Sequence, residues 1–518
     1  MNRILYVAIL GAIFLTSCND DFLVLLPETS ITSASFYKTK AHYDQAVIAS
    51  YERVRSIARN GMFMDELRSD NCHFTRNAGD RGPYLNTEVL ALFLDDETTA
   101  YWNSDRYNEV YSGISRVNTI LSRIDDSELT EAEKAPVIAE AKFLRAFYYY
   151  DLVTHWGPVP LMISEVTAAE DAFVGNSTIE EVYAQIITDV SDAINNGLSL
   201  ADRFPQSGRA TLGAAKMLRA YAYMSKPSRD YPAAERDLKD ITNMNYGLEE
   251  NFASIFALTN KNGKEIIFAA QYQDGPGGQH CDFPWMYIPK CTNNLILMGF
   301  QASNTPQRIN GGWCTPTREF LDSFEPGDKR LPATVGIAQG TGIEVITVNT
   351  TEPVLNIEGF EPKDGVDYHY FNRKYYHPPY GYSLQASDNF PFYRYADALL
   401  LLAECLVEQG KAGEAQPYLD QVRTRAGLAS VPATKQSVSD ERRHELAFEH
   451  HRWTDLIRTG QAVSVMNEHG KYIKSIDPVV LDISYNVTQD KLLYAFPIRE
   501  LRVNRELVQN PGYNGYYN

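Results

Sequence analysis

Ala141-Lys-Phe-Leu-Arg-Ala-Phe-Tyr-Tyr149 recurs as Ala215-Lys-Met-Leu-Arg-Ala-Tyr-Ala-Tyr223, and this repeat decides the fold class. Each copy has apolar residues at helical spacing, and each is followed by a second amphipathic stretch. Around the first copy a helix is predicted from about Lys134 to Thr154. Thr130 and Glu133 have the capping-box spacing that opens it, and Ser177 and Glu180 open a partner helix running to about Asn195. Around the second copy, helices are predicted over Thr211 to Ser225 and Tyr231 to Thr242. A third pair, Ala396 to Gln409 and Ala412 to Ala426, meets across Gly410, and one further helix spans Asp440 to Arg458. Small residues three or four apart let such helices approach closely, so the chain reads as mostly α.

Stacked helix pairs resemble tetratricopeptide units. Their spacing here is irregular, so they predict a scaffold carrying insertions. From about Gln271 to Pro391 the character changes. Gly275-Pro-Gly-Gly278, Gly311-Gly312, Pro326-Gly327 and His377-Pro-Pro-Tyr-Gly381 punctuate short β-type runs such as Ile343 to Val348. This loop-rich, minor-β segment is where binding is expected, because loops on a rigid scaffold carry function.

At the N-terminus, Arg3 precedes an apolar run from Ile4 to Leu15, then small residues and Cys18. That is a secretory signal too short to span a bilayer. Leu15-Thr-Ser-Cys18 resembles a bacterial lipobox, which implies that residues 1–17 are removed and Cys18 is acylated. Asp20-Asp21 resembles the acidic flag of surface-exposed lipoproteins. The remaining 518 − 17 = 501 residues hold no other apolar run of the roughly 18 residues a membrane helix needs. A net charge of −18 argues against nucleic acid, whose phosphates demand a basic face. Cys72, Cys281, Cys291, Cys314 and Cys405 are an odd number, so at least one thiol is free. Sequence proximity allows a disulfide among Cys281, Cys291 and Cys314. No Cys/His group has zinc spacing.

Five stretches then occur in order. They are Arg145-Ala-Phe-Tyr-Tyr-Tyr-Asp-Leu-Val-Thr-His-Trp-Gly157 with Pro158-Val-Pro-Leu161; Thr315-Pro-Thr-Arg-Glu-Phe320 with Asp328-Lys-Arg330; and Arg394-Tyr-Ala-Asp-Ala-Leu-Leu400 with Ala403-Glu404. The fourth is Glu441-Arg-Arg-His-Glu-Leu-Ala-Phe-Glu449 with Arg452-Trp-Thr-Asp-Leu-Ile-Arg-Thr-Gly460, and the last is Ala495-Phe-Pro-Ile-Arg-Glu500 with Asn510-Pro-Gly-Tyr513. Together they resemble the signatures of SusD/RagB-type outer-membrane nutrient-binding lipoproteins. The resemblance implies a SusD-like fold with an N-terminal helical region over 18–270. It implies a C-terminal region over 271–518, with its loop-rich insertion at 271–391. It further implies glycan capture outside the cell and a SusC/RagA-like TonB-dependent barrel as partner. The departure is His450-His451, where family members commonly have glycine. Arg442, Arg443, Glu445, Glu449, Arg452 and Asp455 alternate charge at helical spacing, as a structural ion-pair network would.

Catalytic signatures are missing from the sequence. His444-Glu445 lacks the second zinc-protease histidine, since Phe448 stands there. No G-x-S-x-G elbow and no phosphate-binding glycine loop occurs, and no carboxylate pair is marked as glycosidic. No cofactor or metal is expected. The loop half does hold aromatics among glycines and prolines, including Tyr272, Trp285, Tyr287 and Trp313, with a dense run from Tyr368 to Tyr395. Sugar rings pack their C–H faces on such side chains, although more than half are expected to tuck into the loop base. Ser69 to His73, Arg76, Arg81 and Tyr84 form a polar loop ahead of the Trp102 helix, and the resemblance implies ligand contacts there. The expected ligand residues are Trp285, Trp313, Tyr287, Arg81 and Asn71, with Trp102 packed beneath. A peptide-binding receptor of the same architecture, and a glycan hydrolase, are the alternatives.

Overall fold

A computed structural model describes residues 36–75, 85–99, 101–201, 203–291, 297, 311–340, 347–348, 350–354, 357, 360–361, 364–381 and 384–514. Eight helices form four successive antiparallel pairs. They are α1 (Lys40–Gly61) with α2 (Tyr101–Arg123), α3 (Glu131–Trp156) with α4 (Ile179–Asn196), α5 (Leu212–Ser225) with α6 (Tyr231–Thr242), and α7 (Tyr395–Glu408) with α8 (Ala412–Ala426). Each helix also packs on the next pair, α2 on α3, α4 on α5 and α6 on α7. The mostly helical, tetratricopeptide-like scaffold is therefore present, and the α1/α2 pair is an addition to the three pairs predicted.

The repeat carries a shared clasp within its pairs. Arg145 of α3 grips Asp189 of α4 at 2.7 Å, and Lys142 reaches Asp192 at 2.5 Å. One pair later, Arg219 grips Asp237 at 2.7 Å and Lys216 reaches Asp240 at 2.7 Å. The repeat therefore extends into an Asp-x-x-Asp on each partner helix. Helix starts follow local chemistry. The Thr130 amide donates to the Glu133 carboxylate at 3.0 Å. The second box sits one residue later than Ser177–Glu180: Glu181 donates its amide to the Thr178 hydroxyl at 3.2 Å and accepts the Thr178 amide at 2.8 Å.

The predicted helix from Asp440 to Arg458 is broken. It forms α9 (Lys435–Leu446) and α10 (Arg452–Arg458), because Phe448 and His450 adopt φ of +63° and +64°. That left-handed conformation favours glycine. In this chain the His450 imidazole fills the space over Gly61, where an added Cβ would lie 2.3 Å from Nδ1 and 2.9 Å from an Asp65 oxygen. Gly61→Ala should therefore lower stability by about 1–3 kcal/mol. In a His450→Gly background most of that loss should vanish in urea unfolding; an equal loss in both backgrounds would remove the contact as its cause.

The loop-rich segment leaves and re-enters through one ribbon. Strand β2 (Ile266–Ala270) pairs antiparallel with β7 (Phe390–Arg394), placing Ala270 opposite Phe390. In a separate two-stranded ribbon, β1 (Cys72–Phe74) from the N-terminal half pairs with β3 (Cys314–Pro316) of that segment. A three-stranded antiparallel sheet places β4 (Val335–Gly340) between β5 (Thr350–Val354) and β6 (Asp367–Asn372). Of the β-type run Ile343 to Val348, residues 343–346 lie outside the described residues, and 347–348 are extended. One continuous hydrophobic core joins both halves, from Tyr43 through Phe147, Phe268 and Leu400 to Leu507.

Candidate functional site

Strand β1 carries residues 72–74 to β3, and the Thr75 amide donates to the Trp313 carbonyl at 3.4 Å. The Trp313 amide in turn donates to the Met286 carbonyl at 3.3 Å, drawing in the short helix Phe283–Tyr287. Gly311 is needed at this crossing, since a Cβ there would meet the Ile288 carbonyl oxygen at 1.9 Å. Asn71, Trp285, Tyr287 and Trp313 are thus assembled from three separate segments. Arg81 and Cys18 lie outside the described residues.

The assembled side chains are not offered to solvent. Trp285 and Tyr287 are fully buried. Trp285 packs on Tyr380 at 5.1 Å between ring centres, and Tyr287 lies between Tyr375 and Phe448. Asn71 is buried too, donating to Glu66 at 3.0 Å and accepting from Arg443 at 3.0 Å. The expectation that these three touch ligand is corrected on that ground: in this fold their contacts are internal. Burial pushes the Glu66 carboxyl up to about 7, with the Asn71 amide opposing it. Asp70 is sealed by Arg452 at 2.7 Å and Arg443 at 3.2 Å, so the polar stretch from Ser69 to Cys72 is interior. Trp285→Ala should consequently cost about 3–5 kcal/mol in denaturant unfolding, as a large core truncation does. A loss below about 1 kcal/mol would return Trp285 to the surface.

What remains accessible nearby is Tyr101 with the Arg59–Asp282 pair, set over a buried aromatic layer. Trp102, 9% exposed, stacks on Phe63 at 3.8 Å, and Phe63 lies 5.8 Å from Trp313, which is 6% exposed. The Arg59 guanidinium sits 5.3 Å over the Trp102 ring and pairs with Asp282 at 3.0 Å. Tyr101, 55% exposed, meets Trp102 edge-on at 4.9 Å. Tyr101, Arg59 and Asp282 escaped the sequence reading; the one signal was the place of Tyr101 directly before Trp102 at a helix start. The dense run from Tyr368 to Tyr395 is mainly core, with Tyr370, Phe371, Tyr375, Tyr376, Tyr380, Phe390 and Tyr393 all buried.

None of Tyr101, Trp102, Arg59, Asp282 and Trp313 lines the two cavities named next. One of about 80 Å³ lies among Asp65, Arg106, Asp151, His155 and His450, a volume for a few waters rather than a sugar ring. Another of about 440 Å³ opens among Asn251, Phe256, Lys329, Arg373, Tyr376 and His377, within the range of small-molecule sites.

The family model described as "SusD family" matches residues 264–513, and one described as "Starch-binding associating with outer membrane" matches 30–216. The chain belongs to the SusD family. SusD-like protein P25 of Formosa agariphila is 24% identical over 559 aligned positions, spanning 100% of this chain and 99% of that protein. Starch-binding protein SusD of Bacteroides thetaiotaomicron is 23% identical over 442, spanning 75% of each. Among solved structures, a laminarin binding SusD-like protein superposes with a TM-score of 0.74 at 23% identity, over 92% of this chain and 100% of that one. At that identity the superposition establishes the fold.

In this SusD-family chain the signature residues are structural. Arg442, Arg443, Glu445, Glu449, Arg452 and Asp455 do form ion pairs, mostly with distant segments rather than along one helix. Arg442 pairs with Asp397 and Asp455, and Glu449 with Lys374 and Arg394. His444 packs 4.3 Å from the Phe324 ring and shares a hydrogen bond with Ser323 at 2.9 Å. Among the described residues no cluster of His, Cys, Asp and Glu is arranged to hold a metal, and no helix is long and apolar enough to cross a membrane.

Proposed function

We propose that this chain is a non-enzymatic receptor that captures an oligosaccharide outside the cell and passes it to a SusC/RagA-like TonB-dependent barrel. Acylated Cys18 tethers it to the outer membrane. The observation that carries the reading is the exposed Tyr101 ring beside the Arg59–Asp282 pair, backed by the buried Trp102–Phe63–Trp313 layer. An exposed phenol ring gives a platform for a sugar's C–H face, and its polar tip stays wet. The Arg59–Asp282 pair supplies donors and acceptors for hydroxyl groups on one ridge. Trp285, Tyr287, Asn71 and Trp313 support this ridge from the interior, and Arg81 remains a candidate ligand residue from the sequence. Membership of a family whose models include a starch-binding description supports the ligand class.

Calorimetric titration of β-glucan and starch-type oligosaccharides into the protein from Asn19 onward tests the reading. Tyr101→Ala should weaken the best ligand by about 2- to 10-fold, corresponding to roughly 0.5–1.5 kcal/mol of ring contact, with an unchanged melting temperature. Arg59→Ala should weaken it as well. Peptide binding with no glycan binding would replace the ligand class, and full affinity in both variants would move the site elsewhere.

A further inference from the structure

The sequence allowed a disulfide among Cys281, Cys291 and Cys314, but the fold turns Cys314 toward a different cysteine. Phe74 lies opposite Cys314 and Cys72 opposite Pro316. Cys72 and Cys314 are therefore diagonal neighbours on one face of the β1/β3 ribbon, since alternate residues share a face. Their sulfurs lie 3.0 Å apart, across 242 residues of chain. A covalent S–S bond is about 2.05 Å long, so closure needs a movement of about 1 Å. Both side chains are fully buried. The Cys281 sulfur instead contacts the Ala386 carbonyl at 3.3 Å, and the Cys405 sulfur the Tyr231 carbonyl at 3.0 Å.

We propose that Cys72 and Cys314 form a disulfide that staples the N-terminal strand β1 to β3, directly beside Trp313. The inference rests on the export reading above, because cross-links of this kind persist in oxidising compartments. The oxidant is a disulfide of the thiol–disulfide oxidoreductase class. One protein thiolate attacks a donor sulfur and releases a donor thiol, giving a mixed disulfide. The second protein thiolate then attacks the protein sulfur of that mixed disulfide and releases the other donor thiol. Two electrons and two protons end on the donor. Full burial of both sulfurs places the exchange before the ribbon closes during folding, and afterwards shields the bond from soluble reductants. The staple fixes Thr75 against Trp313, so the aromatic layer behind Tyr101 holds its register while ligand comes and goes.

The test uses full-length protein harvested from the cell surface without reductant, denatured in guanidinium with iodoacetamide, digested and weighed. The expected product is one linked peptide pair holding Cys72 and Cys314, about 2 Da lighter than its parts and split by dithiothreitol. Cys281 and Cys405 should be alkylated without reduction. Purified protein refolded with oxidised glutathione should give the same pair and melt at least about 3 °C above protein refolded in dithiothreitol. That difference should be absent from the Cys72→Ala/Cys314→Ala double variant. Alkylation of both thiols in the surface-harvested and the glutathione-refolded samples overturns the proposal and leaves the export reading standing. Protein found only inside the cell overturns the export reading, and the glutathione arm then decides the staple by itself.

Discussion

Arg394→Met should cost at least about 3 kcal/mol of stability and sharply reduce soluble yield. Arg394 is the centre of a buried ionic lattice. Its guanidinium donates to Glu449 at 2.6 Å, to Glu265 at 2.6 Å and to Glu445 at 3.0 Å. Glu445 is shared further with Arg425 at 2.5 Å and Arg330 at 3.3 Å, while Arg330 also grips Asp328 and Glu441. Removing one central cation leaves three desolvated carboxylates short of a partner, and a broken buried pair loses roughly 3–5 kcal/mol. Methionine keeps most of the volume, so the loss reads charge rather than a cavity. A surface pair gives the contrast: Lys471 and Glu468 meet at 2.7 Å with side chains 74% and 72% exposed. Lys471→Met should change the urea midpoint by no more than an exposed pair allows, about 0.5 kcal/mol. Equal effects of the two variants would show that the lattice adds nothing beyond surface charge.

Stability should also fall as the pH drops below about 6.5, before the usual carboxylate range is reached. Burial pushes the His450 imidazole down to about 3, with Asp65 opposing, and holds His444 well below its ordinary value, helped by Arg330. Both histidines bind protons in the unfolded chain near pH 6.5 and stay neutral in the fold. The unfolded state therefore takes up more protons, and the stability tied to their neutral forms, complete above 6.5, is lost downward toward pH 3. Glu66 works in the opposite direction. Its carboxyl, raised to about 7 by burial, protonates in the fold before it does in the unfolded chain. Burial also lowers His73, to about 4, and His369, so four histidines stand against Glu66 and stability falls by at least about 1 kcal/mol per pH unit between 6 and 5. Below about 4.5 the slope should steepen. Burial raises Asp65 and Asp455, but their arginine partners outweigh it and hold both below the ordinary range. His450→Gly should reduce the slope of the stability profile between pH 6 and 5 by about 1 kcal/mol per pH unit, and an unchanged slope there would assign the acid sensitivity to other groups.

The scaffold was legible because its signals are local. The repeated helix face, the Thr130 capping box and the Gly410 turn each lie within a few residues and recur as structure, while the second box falls one residue later than Ser177–Glu180. Errors arose where the deciding partner is remote. Continuous helical periodicity from Asp440 to Arg458 gave no sign that Phe448 and His450 would turn left-handed, because that break is imposed by packing on Gly61 and Phe320. The rings of Trp285 and Tyr287 look exposed among glycines and prolines, yet their neighbours Tyr380 and Phe448 lie far along the chain. Asn71 reads as a polar loop residue until Arg443 arrives from the C-terminal half. Proximity in sequence likewise gave no sign that Cys72 and Cys314 share a ribbon face.

The β2/β7 ribbon has a consequence for how such a protein can diversify. Because Ala270 and Phe390 are neighbours across the ribbon, a segment of more than a hundred residues is inserted through a doorway one strand spacing wide. To the helical stack, that segment resembles a hairpin. Lengthening it adds only a logarithmic entropy of loop closure, about 0.6 kcal/mol per doubling. Grafting another recognition segment between Ala270 and Phe390 should therefore be tolerated only where the β1/β3 contact, the buried core rings and the Arg330 and Lys374 ion pairs are carried along with it.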